Sequence, residues 1–200
     1  MTKQIQIIER KTLLHRLIFR VEEARFRQEL PGGKWSDEIV RLNLERGDSA
    51  AAIIHNTMNN TLILVEQFRY PTYENGPGWM LELPAGIIDS KTGESPEVTI
   101  RRELIEEAGI EVRDLERVRT FYPSPGGSSE QVHLFYAQTT ETSRVNAGGG
   151  ISSSGEFIRV IDMPVEEALR KVDNLEIIDA KTIIGLQWLK MTKLTGNFTP

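Results

Sequence analysis

The spacing of apolar positions changes along this chain, and each change predicts a different element. Residues 4–8 (QIQII), 14–22 (LHRLIFRVE), 24–28 and 38–45 (EIVRLNLE) carry β-branched or alternating apolar positions, the pattern of short strands. Pro31-Gly32-Gly33 and Gly47-Asp48 punctuate them as turns. Residues 50–55 and 61–67 (TLILVEQ) predict two buried strands joined at Asn59-Asn60. The period then lengthens: Ile100, Leu104, Ile105 and Ala108 lie at helical spacing, with Ser95 placed to cap, Pro96 to open and Gly109 to stop that helix. A strand at 157–162, a short helix opening at Pro164 and a final helix capped by Asp179 complete the reading, the last fixed by Ile183, Ile184, Leu186, Trp188 and Leu189. No internal repeat is present. The expected class is α/β, with residues 1–47 as a small antiparallel sheet and 48–200 as the main domain.

Three glycine- and proline-rich loops interrupt these elements, at 70–79, 122–130 and 140–156. The third is long for an internal connection, and such loops are usually functional or disordered.

Composition narrows the chemistry. With 200 residues and 39% hydrophobic content the chain can bury a core without covalent staples. It has no cysteine, which excludes disulfides, iron–sulfur clusters, thiolate zinc sites and cysteine nucleophiles. A net charge of −5 leaves no basic footprint for nucleic acid. Apolar runs such as Ala50-Ala51-Ala52-Ile53-Ile54 are too short to span a bilayer, and the first six residues lack a signal peptide's apolar stretch. The expectation is a cytoplasmic protein with neither nucleic-acid nor membrane partner. Gly148-Gly149-Gly150 lacks the strand-to-helix turn of a dinucleotide site, and there is no phosphate-loop lysine and no GxSxG elbow. His15, His55 and His133 are scattered, and Ser124 and Ser128 have no histidine beside them in sequence.

Carboxylates offer more. Glu103, Glu106 and Glu107 stand at i, i+3 and i+4, so the helix projects all three from one side, where they repel one another. A hard divalent cation relieves that repulsion, and Mg²⁺ favours carboxylates, water and phosphate oxygens. Arg102 can pair with Glu106 across one turn. A solvated, salt-bridged helix face would look much the same on these residues alone.

The flanking residues decide. Glu94, seven residues, Arg102-Glu103-Leu104, then Glu106-Glu107, Gly109 and Ile110 resemble the box of the Nudix hydrolases, which cleave nucleoside diphosphates linked to another moiety. The departure is at the front, where seven residues rather than five separate Gly86 from Glu94. Glu66-Gln67-Phe68-Arg69-Tyr70, Leu83-Pro84-Ala85-Gly86 and Ser124-Pro125-Gly126-Gly127 resemble the group of ADP-ribose and nucleoside-diphosphate-sugar pyrophosphatases. Asn146-Ala147-Gly148-Gly149-Gly150 and Lys181-Thr182…Trp188-Leu189 are similar to members acting on GDP-mannose or UDP-glucose.

The resemblance implies a Nudix α/β/α sandwich with an N-terminal antiparallel sheet exchanged within a homodimer. It implies Mg²⁺, with Mn²⁺ as a substitute, held by the Ala85 carbonyl, Glu103 and Glu107, with Glu106 supporting them. Arg69 would contact the diphosphate, Glu82 would sit beside the cradle, Gly126 and Gly127 would line the substrate, and Arg46 would reach it from a partner subunit. The general base is Glu156, with Glu130 as fallback; the acid that relatives carry two positions earlier is here Ser154. The 140–156 loop would close over the site, its glycines permitting the swing. The implied reaction is hydrolysis of a nucleoside diphosphate sugar to a nucleoside monophosphate and a sugar 1-phosphate. An ADP-ribose pyrophosphatase and a non-catalytic, nucleotide-sensing module remain alternatives.

Overall fold

The computed structural model describes residues 3–89, 91–140, 143–151, 153 and 155–194. Two compact units emerge, Met1–Asp48 with Tyr122–Gln131, and Ser49–Phe121 with Val132–Pro200.

In the first unit, β1 (Ile5–Arg16), β2 (Phe19–Gln28) and β3 (Ile39–Glu45) form an antiparallel sheet in that order. The break falls elsewhere than the 14–22 run suggests. One long first strand reverses at Leu17-Ile18, with Leu17 at φ 57°, a left-handed position with no glycine or asparagine to announce it. Apolar cross-strand rows Leu14–Val21–Leu44 and Ile7–Phe26–Ile39 lie on opposite faces, so neither face is a clean core side. The 122–131 segment belongs here because it ties onto β3: Leu44 N donates to Gly127 O at 2.8 Å and Ser128 Oγ to Leu44 O at 3.0 Å.

The second unit centres on a seven-stranded sheet. Its main path is β10 (Arg159–Pro164), β5 (Thr61–Phe68), β4 (Ser49–Asn56), β9 (Val132–Thr139) and β8 (Glu116–Phe121). β6 (Trp79–Glu82) pairs with β5 and β7 (Ala85–Ile87) with β4; only the β4–β9 pairing is parallel. Every residue of β4 is buried, and its alternation sorts the core into two layers. Ala50, Ala52 and Ile54 pack with Ile100, Leu104 and Ala108 of α2 (Pro96–Ala108). Ala51 and Ile53 pack on the other face with Val165 and Ala168 of α3 (Val165–Asp173) and Leu186 and Leu189 of α4 (Ala180–Leu189). The result is the expected α/β/α sandwich. A single helical turn, α1 (Tyr70–Tyr73), precedes β6.

Two contacts fix the segment that leads into α2. Leu83 N donates to Thr182 Oγ1 at 2.9 Å, and Ala52 N donates to Pro84 O at 3.1 Å. Gly185 lets α4 come this close, since a Cβ there would meet the side chains of Leu83 and Ile53. Among the described residues no helix is long and apolar enough to cross a membrane.

Candidate active site

The ends of α2 are those the sequence announces. Ser95 Oγ accepts from Val98 N at 3.3 Å, Pro96 opens the first turn, and Gly109 terminates it at φ 69°. The helix buries Ile100, Leu104 and Ala108 against the sheet, and this docking sets where its carboxylates stand.

Arg102 is the hub of the helix's outward side. Its Nη1 reaches Glu103 Oε1 at 2.8 Å and Glu106 Oε2 at 3.0 Å, and its Nε lies 3.4 Å from Glu94 Oε1. The i, i+4 pair is as the spacing implied; Glu94 adds a third acid across the first two turns. Burial works against the guanidinium's charge, but three carboxylates outweigh it and raise its pKa.

Glu107 lies deeper, 5% exposed. Its Oε2 accepts from Ala85 N at 3.0 Å, which places the backbone of β7 against the carboxylate. Burial pushes its pKa up to about 8, the Ala85 amide works the other way, and the charge of Glu103 raises it further. Glu103 is also raised, first by burial, against the pull of Arg102. Gly86 gives Glu103 its room: a Cβ at Gly86 would land on the Glu103 carboxylate. Glu103 and Glu107 therefore converge on Ala85-Gly86, two carboxylates that are costly to ionise in company.

This donor set fits a hard divalent cation. It offers two carboxylates converging on the Ala85-Gly86 backbone, in a place where an added positive charge offsets both burial and mutual repulsion. Among the described residues no three His, Asp or Glu side chains are gathered into a cage that could hold a metal ion.

Glu82 has the opposite surroundings. It is buried in β6 and accepts both prongs of Arg69, Nε and Nη2, at 2.9 Å each. Lys181 at the start of α4 adds a bond of 2.6 Å, and Asp179 Oδ2 lies 3.1 Å from the same ammonium. Burial alone would raise the Glu82 pKa, but the two cations overcome it and hold it low. Arg69, expected to contact the diphosphate, commits two of its nitrogens to Glu82 and also feels the charge of Glu107. Lys181 is the residue the sequence reading missed as a site group. Its partner Glu82 lies 99 positions off in sequence, and its only signal is membership of the Lys181-Thr182 motif.

Glu156 approaches the same place. Glu103 and Glu107 each feel its charge, and its Oε2 accepts from Ile151 N at 3.2 Å. Ser154 lies outside the described residues. The glycines of the long loop lie against the end of α2. Gly149 N donates to Glu107 O at 2.8 Å, Gly150 N to Glu106 O at 3.0 Å, and Val145 N to Gly109 O at 2.8 Å, satisfying carbonyls at the end of α2. A Cβ on Gly148, which has φ 68°, would collide with that same helix end.

The remaining candidates lie in the first unit. Arg46 Nη1 pairs with Glu130 Oε2 at 3.3 Å, while Arg46 Nε is buried without a hydrogen-bond partner. Gly126 and Gly127 have open space where a Cβ would stand, so sterics do not explain glycine there.

Comparison with known proteins agrees with this geometry. Residues 45–184 match the NUDIX domain. A GDP-mannose pyrophosphatase of Cronobacter sakazakii is 43% identical over 159 residues, 77% of this chain and 81% of that protein. One from Escherichia coli O1:K1 is 38% identical over 162 residues, 78% of this chain and 82% of that protein. One from Shigella dysenteriae is 36% identical over 205 residues, 97% of this chain and 99% of that protein. With its box on α2, its carboxylates turned to Ala85-Gly86 and a domain match over most of its length, the chain belongs to the Nudix family of hydrolases.

Proposed function

We propose that the protein hydrolyses the diphosphate of nucleoside diphosphate sugars, with GDP-mannose the first substrate to test, to a nucleoside monophosphate and a sugar 1-phosphate. The observation that carries this is the pair of Glu103 and Glu107, ionisable only at a cost, set against Ala85-Gly86. The names of the similar proteins supply the substrate class.

Nudix hydrolases generally use divalent metal ions, and we take Mg²⁺ as the ion here, with Mn²⁺ as a substitute. Glu103, Glu107 and the Ala85 carbonyl would hold it; when bound, it neutralises charge on the diphosphate and lowers the pKa of water. Glu106, tied to Arg102, keeps the acid cluster in register. Arg69, aimed by Glu82, binds phosphate oxygens with the donor that Glu82 leaves, and Lys181 adds a second positive charge beside it. Glu156 accepts the proton of the attacking water, whose oxygen bonds to phosphorus as the bridging P–O bond breaks. Glu130 stays the fallback base. Gly126-Gly127 and Arg46, whose buried Nε is a donor in want of an acceptor, stay candidate substrate contacts.

The N-terminal sheet is proposed as the contact of a homodimer. It exposes Leu13, Leu14, Leu17, Ile18 and Leu42, an apolar load that a separate chain in water does not favour. A cytoplasmic location, away from membranes and nucleic acid, fits the cysteine-free, acidic sequence.

The test is product release from GDP-mannose, UDP-glucose and ADP-ribose with Mg²⁺. Turnover of GDP-mannose to GMP and mannose 1-phosphate is expected. Preference for ADP-ribose would replace the substrate class, and binding without turnover on all three would leave a sensing module.

A further inference from the structure

Beside Glu156 the second unit opens a cleft of about 460 Å³ that nothing above accounts for. Trp79 and Phe157 border it, Glu66 and Arg159 stand at its rim, and Glu156 and Ile158 complete the lining. We infer that this cleft is the subsite for the sugar of the substrate, with Trp79 and Phe157 as its specificity-determining faces.

The inference rests on the nucleotide-sugar reading above and adds which residues meet the sugar. Position is the first argument. One wall of the cleft is Gly149, whose amide is bonded to the Glu107 carbonyl, and another is Glu156, whose charge reaches Glu103 and Glu107. A diphosphate held at the α2 carboxylates therefore has one of its two substituents at the mouth of this cleft.

Chemistry is the second. A pyranose has an apolar face of C–H bonds and a rim of hydroxyls, and the cleft offers the complement of each. Trp79 is 58% and Phe157 72% exposed, unusual for large aromatic rings with no structural need to face water. The Trp79 ring is propped from behind: it meets Phe68 edge-on at 5.8 Å, and Phe68 meets Tyr73 at 5.5 Å. Gly78 permits this stack, because at φ 71° it turns the chain into β6 where a Cβ would press on both Tyr73 and Phe68. At the polar side, Arg159 pairs with Glu66 directly across β10 and β5, Nη2 at 2.9 Å and Nε at 3.0 Å. That pair presents donors and acceptors in fixed positions, as a ring of hydroxyls requires. Guanine too can stack on an aromatic face and use a carboxylate and a guanidinium, so the assignment to the sugar rests on a test that separates the two ends of the substrate.

The experiment uses the two products as separate probes of the two ends of the substrate. In the full-length protein with Mg²⁺, mannose 1-phosphate and GMP are titrated as inhibitors of GDP-mannose hydrolysis. Trp79→Ala and Phe157→Ala are each expected to weaken inhibition by mannose 1-phosphate about threefold to tenfold, the worth of one aromatic face, and to leave inhibition by GMP unchanged. Trp79→Phe, which keeps a ring, is expected to restore most of the loss. Weakened inhibition by GMP alone would make the cleft the base subsite and overturn the inference. Equal weakening of both, or of neither, would overturn it as well. Should Trp79→Ala fold poorly, the exposed Phe157 carries the same test. If the wild-type protein hydrolyses no nucleotide sugar, the functional reading itself has failed; turnover with unaltered mannose 1-phosphate inhibition in the variants removes only the subsite.

Discussion

Two ion clusters of the second unit differ in charge balance. Around Arg102 one guanidinium serves Glu94, Glu103 and Glu106, with Glu107 buried behind them, so acid is in excess. Around Glu82 two cations, Arg69 and Lys181, meet two carboxylates, Glu82 and Asp179, so the buried charge is compensated. The carboxyl pKa values follow: Glu103 and Glu107 are held up, Glu82 is held down. The first cluster carries an excess of acid that a cation from solution would offset. The second is complete in the chain and holds two cationic side chains in place. One reads as a receptor for metal, the other as a frame for the groups that face phosphate.

Breaking the acid cluster is expected to have the largest effect. Glu103→Gln and Glu107→Gln should each lower turnover by several powers of ten, since charge stabilisation through a bound metal contributes several kcal/mol to the transition state. Both variants should stay folded, because the amide keeps an oxygen for the Ala85 amide and repulsion between the acids falls. Unimpaired turnover of Glu107→Gln at saturating Mg²⁺ would sink the assignment. A large fall in melting temperature would mean the glutamates are structural.

Breaking the other cluster should appear first in stability. Glu82→Gln leaves Arg69 and Lys181 facing a neutral group beside a buried site, at a cost of about 3–5 kcal/mol. The two clusters also predict opposite responses to pH in the metal-free protein. Between the ordinary carboxylate value of 4.5 and about 8, folded Glu107 keeps a proton that the unfolded chain has released, so its part of the stability falls as pH rises. Glu82 is depressed in the folded state, so its contribution is full above the ordinary carboxylate range and is lost on acidification below it. Melting in EDTA from about pH 4 to about pH 9 should show Glu107→Gln removing the alkaline decline and Glu82→Gln removing the acid one. Mg²⁺ should stabilise the wild type more at the alkaline end, where it no longer competes with a proton.

What could be read from sequence follows the same division. The acid cluster is local: Ser95, Pro96, Arg102, Glu103, Glu106, Glu107 and Gly109 lie within four turns of one helix, and helical periodicity alone puts the carboxylates on one side. The Glu82 cluster joins residues 13 and 99 positions apart, and no local period encodes it. The α/β/α layers were legible from the Ser49–Asn56 and Thr61–Phe68 runs, but the strand break at Leu17 was not, because a leucine carries no turn signal. The triple glycine misled in the other direction. Its composition suggested freedom, whereas Gly148 is glycine because the end of α2 leaves no room for a Cβ.

Glu156 adds its charge to the acid cluster alone, and its effect should be intermediate. Glu156→Gln is expected to lower turnover about a hundredfold, the usual worth of a positioned general base, with little change in substrate affinity. A loss partly recovered by raising Mg²⁺ would identify it as a metal ligand instead. A rate near wild type at every metal concentration would move the base elsewhere, and Glu130→Gln is then the variant to make.

The smallest effects concern the caps that seat the helices bearing each cluster, and they are expected to differ. Asp179 Oδ2 accepts from Thr182 N at 3.0 Å and from Thr182 Oγ1 at 2.6 Å, and it also faces Lys181. Thr182 Oγ1 in turn accepts from Leu83 N, so the cap of α4 fixes the strand-to-loop path that delivers Ala85. Ser95 makes a single, longer bond, 3.3 Å to Val98 N, and Pro96 already sets the first turn of α2. Replacing a cap by alanine costs about 0.5–2 kcal/mol, so Asp179→Ala belongs at the upper end and Ser95→Ala at the lower. At roughly 2–4 °C per kcal/mol for a chain of this size, thermal melting separates the two. Asp179→Asn should recover most of the loss, since the amide oxygen still caps while the charge facing Lys181 is gone. If Asp179→Asn melts as low as Asp179→Ala, the negative charge facing Lys181, rather than the cap, is what Asp179 contributes to stability.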